Sequence, residues 1–365
     1  MRLGVAAALA GGELVAGDVL VAGGSVDAVG VRPAGRAGLA VPGFVDLQVN
    51  GFAGVDFLAA GPSDHLRAGE ALAATGVTAY LPTFITAPVP AYRDALRALA
   101  ATPERGPRRL GAHLEGPFLS PAWPGAHPAE HLLEPDVALV DELRALGPVA
   151  TMTLAPELPG GLELVEALTA RGIVVHVGHT DADAATAHAA FDRGARALTH
   201  VHNAHRRFAA RDPGPAGVAL VRPDVSVTAI LDGVHLAPET AAGVWLAARE
   251  RLCLISDAIA AAGRGDGTYR LGEAEVHVAG GACRLADGRL AGSVVTLDRA
   301  VRELAALGAT TAEAVHAVTA APARLLGRPD LGRLAPGARA DVTVLDGDLR
   351  VVRTLVGGEE AFASA

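Results

Sequence analysis

Lysine is missing from this 365-residue chain: all 31 of its Lys/Arg positions are arginine. That removes a Schiff-base lysine, a phosphate-loop lysine and a carboxylated lysine bridging two metals. Cysteine is scarce. Cys253 and Cys283 lie far apart with no C-x-x-C pair. This argues against a disulfide scaffold or a cysteine-based zinc site, and fits a reducing, cytoplasmic compartment. Aromatic residues make up only 4%, the net charge is −9, and no basic stripe is present. Nucleic acid is therefore not an expected partner. No window reaches about 18 uncharged apolar residues, so no membrane span is expected. The opening "MRLGVAAALAGG" has the Arg and short apolar run of a signal peptide. It continues directly into "ELVAGDVLVAGGSVDAVG", which reads as short strands joined by glycine turns.

What is present is a hydrophobic half of the chain with 44 Gly and 23 Pro. That is enough for one large α/β domain with a small accessory, or for two domains. Apolar runs recur at Val41–Leu47, Val77–Pro82, Leu110–Leu114, Ala150–Leu154, Ile173–Val177, Ala197–His200, Ser226–Leu231 and Leu252–Ser256. They are hydrophobic throughout rather than alternating, as parallel strands covered on both faces are. Helix-like stretches such as "GLELVEALTARG" lie between most of them, several ending in Gly. Eight strands alternating with helices predict a (β/α)8 TIM-like barrel, typically about 250 residues. A doubly wound sheet is the alternative, but no G-x-G-x-x-G follows the first run. The ends differ. Residues 1–40 and 335–365 read as short strands with Gly, Pro and Asp turns, predicted to pair as one small β-sandwich domain flanking the barrel at 41–334. Residues 263–292 read as hairpins inserted after the eighth strand.

Active sites of such barrels lie at the C-terminal ends of the strands. Those ends carry Gln48 and Asn50; His113 and Glu115; His176 and His179; His200, His202, Asn203 and His205; Asp232 and His235; and Asp257. The simplest physical account is metal-assisted hydrolysis. Glu115, His179 and His200 would supply three imidazole and carboxylate ligands from three strands, leaving a position for water. Asp257 would be a proton acceptor, or a buried carboxylate orienting a neighbouring His. His113 and His176 lie inside their runs and read as core or supporting groups. His202 and His205 fit either a pocket or a structural role.

The motifs then become specific. "PGFVDLQVNGFAGVDF", "HLEGPFL", "GAHP", "VGHTDA", "THVHNA", "RDPG", "LDGVH", "SDAIAAAG" and "LGRLAPGARADVTVLD" follow in order. "GAHP" places its His twelve residues beyond the Glu of "HLEGPF". Along nearly its whole length the chain resembles the N-acetylglucosamine-6-phosphate deacetylases of the amidohydrolase superfamily. The resemblance implies that Glu115, His179 and His200 hold one catalytic divalent ion. Zn2+ is the default, and Fe2+, Co2+ or Mn2+ are compatible. It implies that Asp257 is general base and then general acid, and that His127 points at the acetyl carbonyl. Ala126, Asn203 and Ala204 would contact the sugar phosphate. Arg211, in "RDPG", and His235, in "LDGVH", would engage its phosphate, Asp232 of the same motif would belong to the substrate-binding set, and Leu290, Ala291 and Gly292 would lie over the sugar. Some relatives take the phosphate-binding Arg from the neighbouring subunit, so a homodimer with the phosphate site near the interface is expected. Two departures bear on acyl and sugar specificity. "HNAM" of many relatives is "HNAH" here, making the rim around His205 and "RRF" unusually basic, and "GSSLT" becomes "GSVVT".

Many amidohydrolases carry His-x-His at the end of the first strand, holding a second metal. Gln48 and Asn50 occupy those positions, which implies one ion rather than two, with the amides hydrogen-bonding to the Glu115 shell or the sugar. Two alternatives remain: another mononuclear amidohydrolase acting on a different N-acyl substrate, and a non-catalytic sugar-phosphate-binding protein on a degenerate barrel.

Overall fold

A computed structural model describes residues 1–364. Its centre is a ring of parallel strands: β1 (Phe44–Val49), β2 (Val77–Phe84), β3 (Ala112–Glu115), β4 (Val149–Leu154), β5 (Val174–Val177), β6 (Ala197–Leu198), β7 (Ser226–Ala229) and β8 (Leu252–Leu254). Each pairs with the next. All eight residues of β2 are buried, which is why its sequence shows no alternation. Side chains such as Leu81, Phe84 and Leu114 are fully enclosed, each worth about 1.5–3 kcal/mol of transfer free energy. Helices alternate with the strands and present apolar stripes to them. The helix Leu297–Ala306 buries Leu297, Ala300, Val301 and Leu304, one face of a 3.6-residue period.

The seam between β8 and β1 is closed differently at its two ends. At the top, Asp257 N donates to Gln48 O (2.9 Å) and Asn50 N to Ala258 O (2.8 Å). Lower down no backbone hydrogen bond joins the two strands directly among the described residues. Leu254 N donates to Ala317 O (2.9 Å) and Val45 N to Val318 O (2.8 Å), so a later turn of chain is wedged between them.

The first predicted strand, Val41–Leu47, is two strands. Ala37–Pro42 belongs to the terminal sheet and Phe44–Val49 to the barrel. Gly43 makes the break, because a Cβ there would collide with Thr78. The sixth predicted strand, Ala197–His200, stops at Leu198, since His200 turns to a positive φ of 27°.

The chain ends share one six-stranded sheet, in the order Glu13–Ala16, Val5–Ala10, Ala37–Pro42, Val342–Leu345, Val351–Val356, Glu359–Ala363. A hairpin, Asp18–Ala22 with Ser25–Val31, packs against it through Val19, Val21 and Val26, giving the second layer of a sandwich. Between β8 and the closing helices, Gly267–Leu271, Ala274–Ala279 and Ala282–Arg284 form a three-stranded sheet. Its inner residues Leu271, Val276, Val278 and Cys283 pack on Ile85, Ile259 and Ala291 at the top of the barrel. This brings the segment after it, Arg289 to Gly292, to the mouth.

Candidate active site

Glu115 ends β3, His179 stands two residues beyond β5, His200 two beyond β6 and Asp257 three beyond β8. The barrel turns all four inward, and each is at least nine-tenths buried. Glu115 Oε1 lies 3.3 Å from His179 Nε2 and 3.1 Å from His200 Nε2, and the two Nε2 atoms are 3.2 Å apart. The opposite nitrogens are committed: His179 Nδ1 donates to Trp123 O (3.0 Å) and His200 Nδ1 to Asn203 O (3.2 Å). With the protons there, both Nε2 atoms carry lone pairs. Burial, then the neighbouring His127, pushes the His179 pKa below its ordinary value and keeps the ring neutral. Two lone pairs and a carboxylate oxygen thus converge on one point, an arrangement that a cation would stabilise. Ligands at about 2.0–2.1 Å around a tetrahedral ion stand about 3.3 Å from one another. The donor set fits a divalent metal, and among the described residues it is the one such cluster.

The backbone is strained where these groups sit. Seven non-glycine residues have positive φ among the described residues, and five are here: His179, His200, His202, Ala204 and Asp257. Each such conformation costs about 1–3 kcal/mol and persists where the surroundings enforce it. Gly125 has a φ of 58°, and a Cβ on it would stand 2.8 Å from His179 Cε1.

The amides Gln48 and Asn50 hold the carboxylates in place. Gln48 Nε2 donates to Glu115 Oε1 (2.9 Å) and to Asp257 Oδ1 (3.0 Å), and Asn50 Nδ2 donates to the same Oδ1 (2.7 Å). Asp257 Oδ2 is left for the cavity. Burial, then the charge of Glu115, raises the Asp257 pKa to about 6. Opposite, His127 Nδ1 accepts from the Thr86 backbone N–H (3.1 Å), which puts the ring proton on Nε2. That N–H faces the same space, 3.5 Å from Glu115 Oε2.

These groups form the floor of a cavity of about 540 Å³. Asn50, Ala126, His127, Asn203, Ala204, His235, Leu290 and Gly292 line it, with apolar Ile85 and Leu271. Four expected site residues are not on its wall. Gln48 lies beneath the floor. Ala291 is buried against the three-stranded sheet, its N–H bonded to Cys283 O. Asp232 stands behind His235, with Oδ2 at 2.7 Å from His235 Nδ1 and Oδ1 capping the backbone of Val234 and His235. Arg211 is exposed and outside its own chain's cavity.

The expected basicity of His205 is corrected. It is buried, its Nε2 accepts from His202 N (2.7 Å), and its Nδ1 donates to Arg206 O (2.9 Å). Burial lowers its pKa to about 4, so it is neutral at pH 7. His113 bonds Leu47 O and Thr153 Oγ1 away from the cavity, and His176 is enclosed with no polar partner. Sequence reasoning did not single out Thr86, Trp123, Arg207 or Arg289. Only the "RRF" run carried a signal, for Arg207.

A sequence model of the Amidohydrolase family matches residues 39–363. The chain belongs to the amidohydrolase family. This amidohydrolase is 38% identical over 332 residues to an N-acetylgalactosamine-6-phosphate deacetylase of Escherichia coli O157:H7, covering 89% of this chain and 88% of that one. It is 40% identical over 340 residues to the N-acetylglucosamine-6-phosphate deacetylase of Homo sapiens, covering 87% and 82%. Among solved structures it resembles a mutant N-acetyl-D-glucosamine-6-phosphate deacetylase from Mycobacterium smegmatis in complex with N-acetyl-D-glucosamine-6-phosphate. The TM-score is 0.94 at 36% identity over 100% of this chain and 99% of that one. The Thermotoga maritima N-acetylglucosamine-6-phosphate deacetylase gives 0.92 at 32% identity, with full coverage of both.

Proposed function

We propose that this amidohydrolase removes the acetyl group from N-acetyl-D-glucosamine 6-phosphate, giving D-glucosamine 6-phosphate and acetate. The observation that carries this is the facing of two groups across one cavity: the Asp257 carboxylate beside the Glu115, His179 and His200 cluster, and the His127 Nε2–H opposite.

Glu115, His179 and His200 would hold a divalent ion, Zn2+ in our reading of this mixed donor set, which would supply Lewis-acid chemistry and lower the pKa of a water toward neutrality. Asp257, ionised above its raised pKa, accepts the proton of the attacking water as the new C–O bond forms. His127 donates its Nε2–H to the carbonyl oxygen as negative charge develops there; a donor of this kind is worth about 2.7–4 kcal/mol. Asp257 then returns the proton to the nitrogen, the C–N bond breaks, and the amine leaves neutral rather than as an anion. Gln48 and Asn50 keep Asp257 facing the reacting atoms throughout.

His235, braced by Asp232, is our candidate for one end of the phosphate. Exposed Arg211 supports a homodimer in which that guanidinium serves the neighbouring cavity. Two buried free cysteines support a cytoplasmic setting. The similarity to the E. coli N-acetylgalactosamine-6-phosphate deacetylase supports a second reading, in which the sugar is the C4 epimer. Acetate release from both acetylated sugar phosphates, with and without chelator, tests these readings. Chelator-sensitive release from the glucosamine substrate is expected, and none from either would overturn the function.

A further inference from the structure

Two arginines line the cavity, Arg207 and Arg289. Arg289 is occupied: its Nε contacts Asp287 Oδ2 at 2.7 Å and its Nη1 donates to Gly125 O. The Arg207 guanidinium makes no hydrogen bond or ion pair with any described residue, although the chain holds 40 carboxylates. The cavity's own carboxylates are committed at the floor.

The residues just before the exposed Arg207 are held in place. His205 bridges Thr180, and Arg206 N donates to Thr180 O at 2.8 Å. The Arg206 side chain is fixed to Asp212 (3.0 Å) and to Asp181 O (3.0 Å). Thr180 directly follows the ligand His179, so Arg207 is tied through the backbone to the metal-binding end of β5. A guanidinium is a planar fork of donors that matches two oxygens of a phosphate, and among the described arginines on this cavity Arg207 is the one left unpaired.

We propose that Arg207 is a specificity-determining residue, binding the substrate's phosphate within its own chain's cavity and setting the preference for a phosphorylated sugar. The inference rests on the acetylated-sugar-phosphate reading above and adds a residue that the "RDPG" motif does not contain.

The test is steady-state kinetics of metal-loaded wild type, Arg207→Gln and Arg207→Lys on N-acetylglucosamine 6-phosphate and on N-acetylglucosamine. Arg207→Gln is expected to raise KM for the phosphorylated substrate about tenfold or more, with kcat little changed. kcat/KM on the unphosphorylated sugar should stay near wild type, and Arg207→Lys should recover part of the loss. An unchanged KM, or an equal loss on both sugars, would overturn the assignment. Mixing Arg207→Gln subunits with Asp257→Asn subunits should leave KM raised, and a return to the wild-type KM would place Arg207 in the neighbour's cavity instead. Wild type releasing no acetate from either sugar is a different failure, that of the function itself.

Discussion

Asn50 Nδ2 donates to Asp257 Oδ1 across 2.7 Å, joining the ends of β1 and β8 over the floor of the cavity. The bond stabilises the ionised carboxylate against burial and against the charge of Glu115, which together raise the Asp257 pKa to about 6. The role proposed for Asp257 needs it ionised, so kcat/KM should fall as pH drops through that pKa. A bound cation offsets the Glu115 contribution, placing the acid limb at or below about pH 6. Asn50→Ala removes a donor to the charged form and should move the limb upward. A pH profile of both proteins checks this, and a downward shift would contradict it.

Replacing Asp257 by Asn keeps the side-chain shape but removes the proton acceptor. Asp257→Asn should lose about 10²–10⁴-fold in kcat, and a loss of less than about tenfold would contradict the role. Its metal content should equal that of wild type, because Asp257 is not one of the converging ligands. Turnover and metal analysis on the same preparation separate the two effects.

Metal removal should cost stability as well as activity. Without an ion, two lone pairs and a carboxylate oxygen confront one another at 3.1–3.3 Å. An ion that binds only the folded chain stabilises by mass action, about 2.7 kcal/mol at a hundred times its Kd. Thermal melts with and without chelator should differ accordingly. Titration back should saturate at one ion per chain, and two would mean that the Gln48 and Asn50 amides were misread.

Gly125→Ala should weaken metal binding without touching a ligand. The new methyl presses on His179 Cε1, and the φ of 58° disfavours a side chain. A loss of about 10–100-fold in affinity is expected, as for other changes that misorient a ligand. Competition with a chromogenic chelator measures it.

Asp46 gives a stability prediction away from the cavity. It is fully buried, Oδ2 has no partner, and burial raises its pKa from 3.8 to about 7. The folded state therefore favours the protonated form. The associated stability is present below pH 3.8 and is lost as pH rises through about 7. The loss is up to about 4 kcal/mol. Asp46→Asn escapes it while keeping an acceptor for Ser256 N and Gln48 N. In urea unfolding, the gain of Asp46→Asn over wild type should be larger at pH 8 than at pH 5.

The barrel was legible because burial on both faces leaves an unbroken apolar run, and each run marks a strand to within a few residues. The convergence of Glu115, His179 and His200 was legible because ionisable groups gather where those runs end. What the sequence hid were contacts between distant segments. Thr86 orients His127 across 41 residues, and Trp123 orients His179 across 56. Neither has a local signature. Asp232 sits in a site motif yet acts from behind His235, since direction depends on the turn and not on the residue type. His205 looked basic because composition carries no information about desolvation.

The seam between β8 and β1 also bears on the order in which the enzyme comes into being. The three converging donors lie between residues 115 and 200, at the ends of β3, β5 and β6, so all three are synthesised well before Asp257. Asp257 is different. Its partner Gln48 is 209 residues away, and the two strands that carry them are held together below by Ala317 and Val318. The segments bearing the donor cluster thus precede Asp257 in the chain, while the Asp257 carboxylate meets Gln48 across a seam that is closed by still later residues. A nascent chain would hold all three donors before it holds the carboxylate proposed to move the proton.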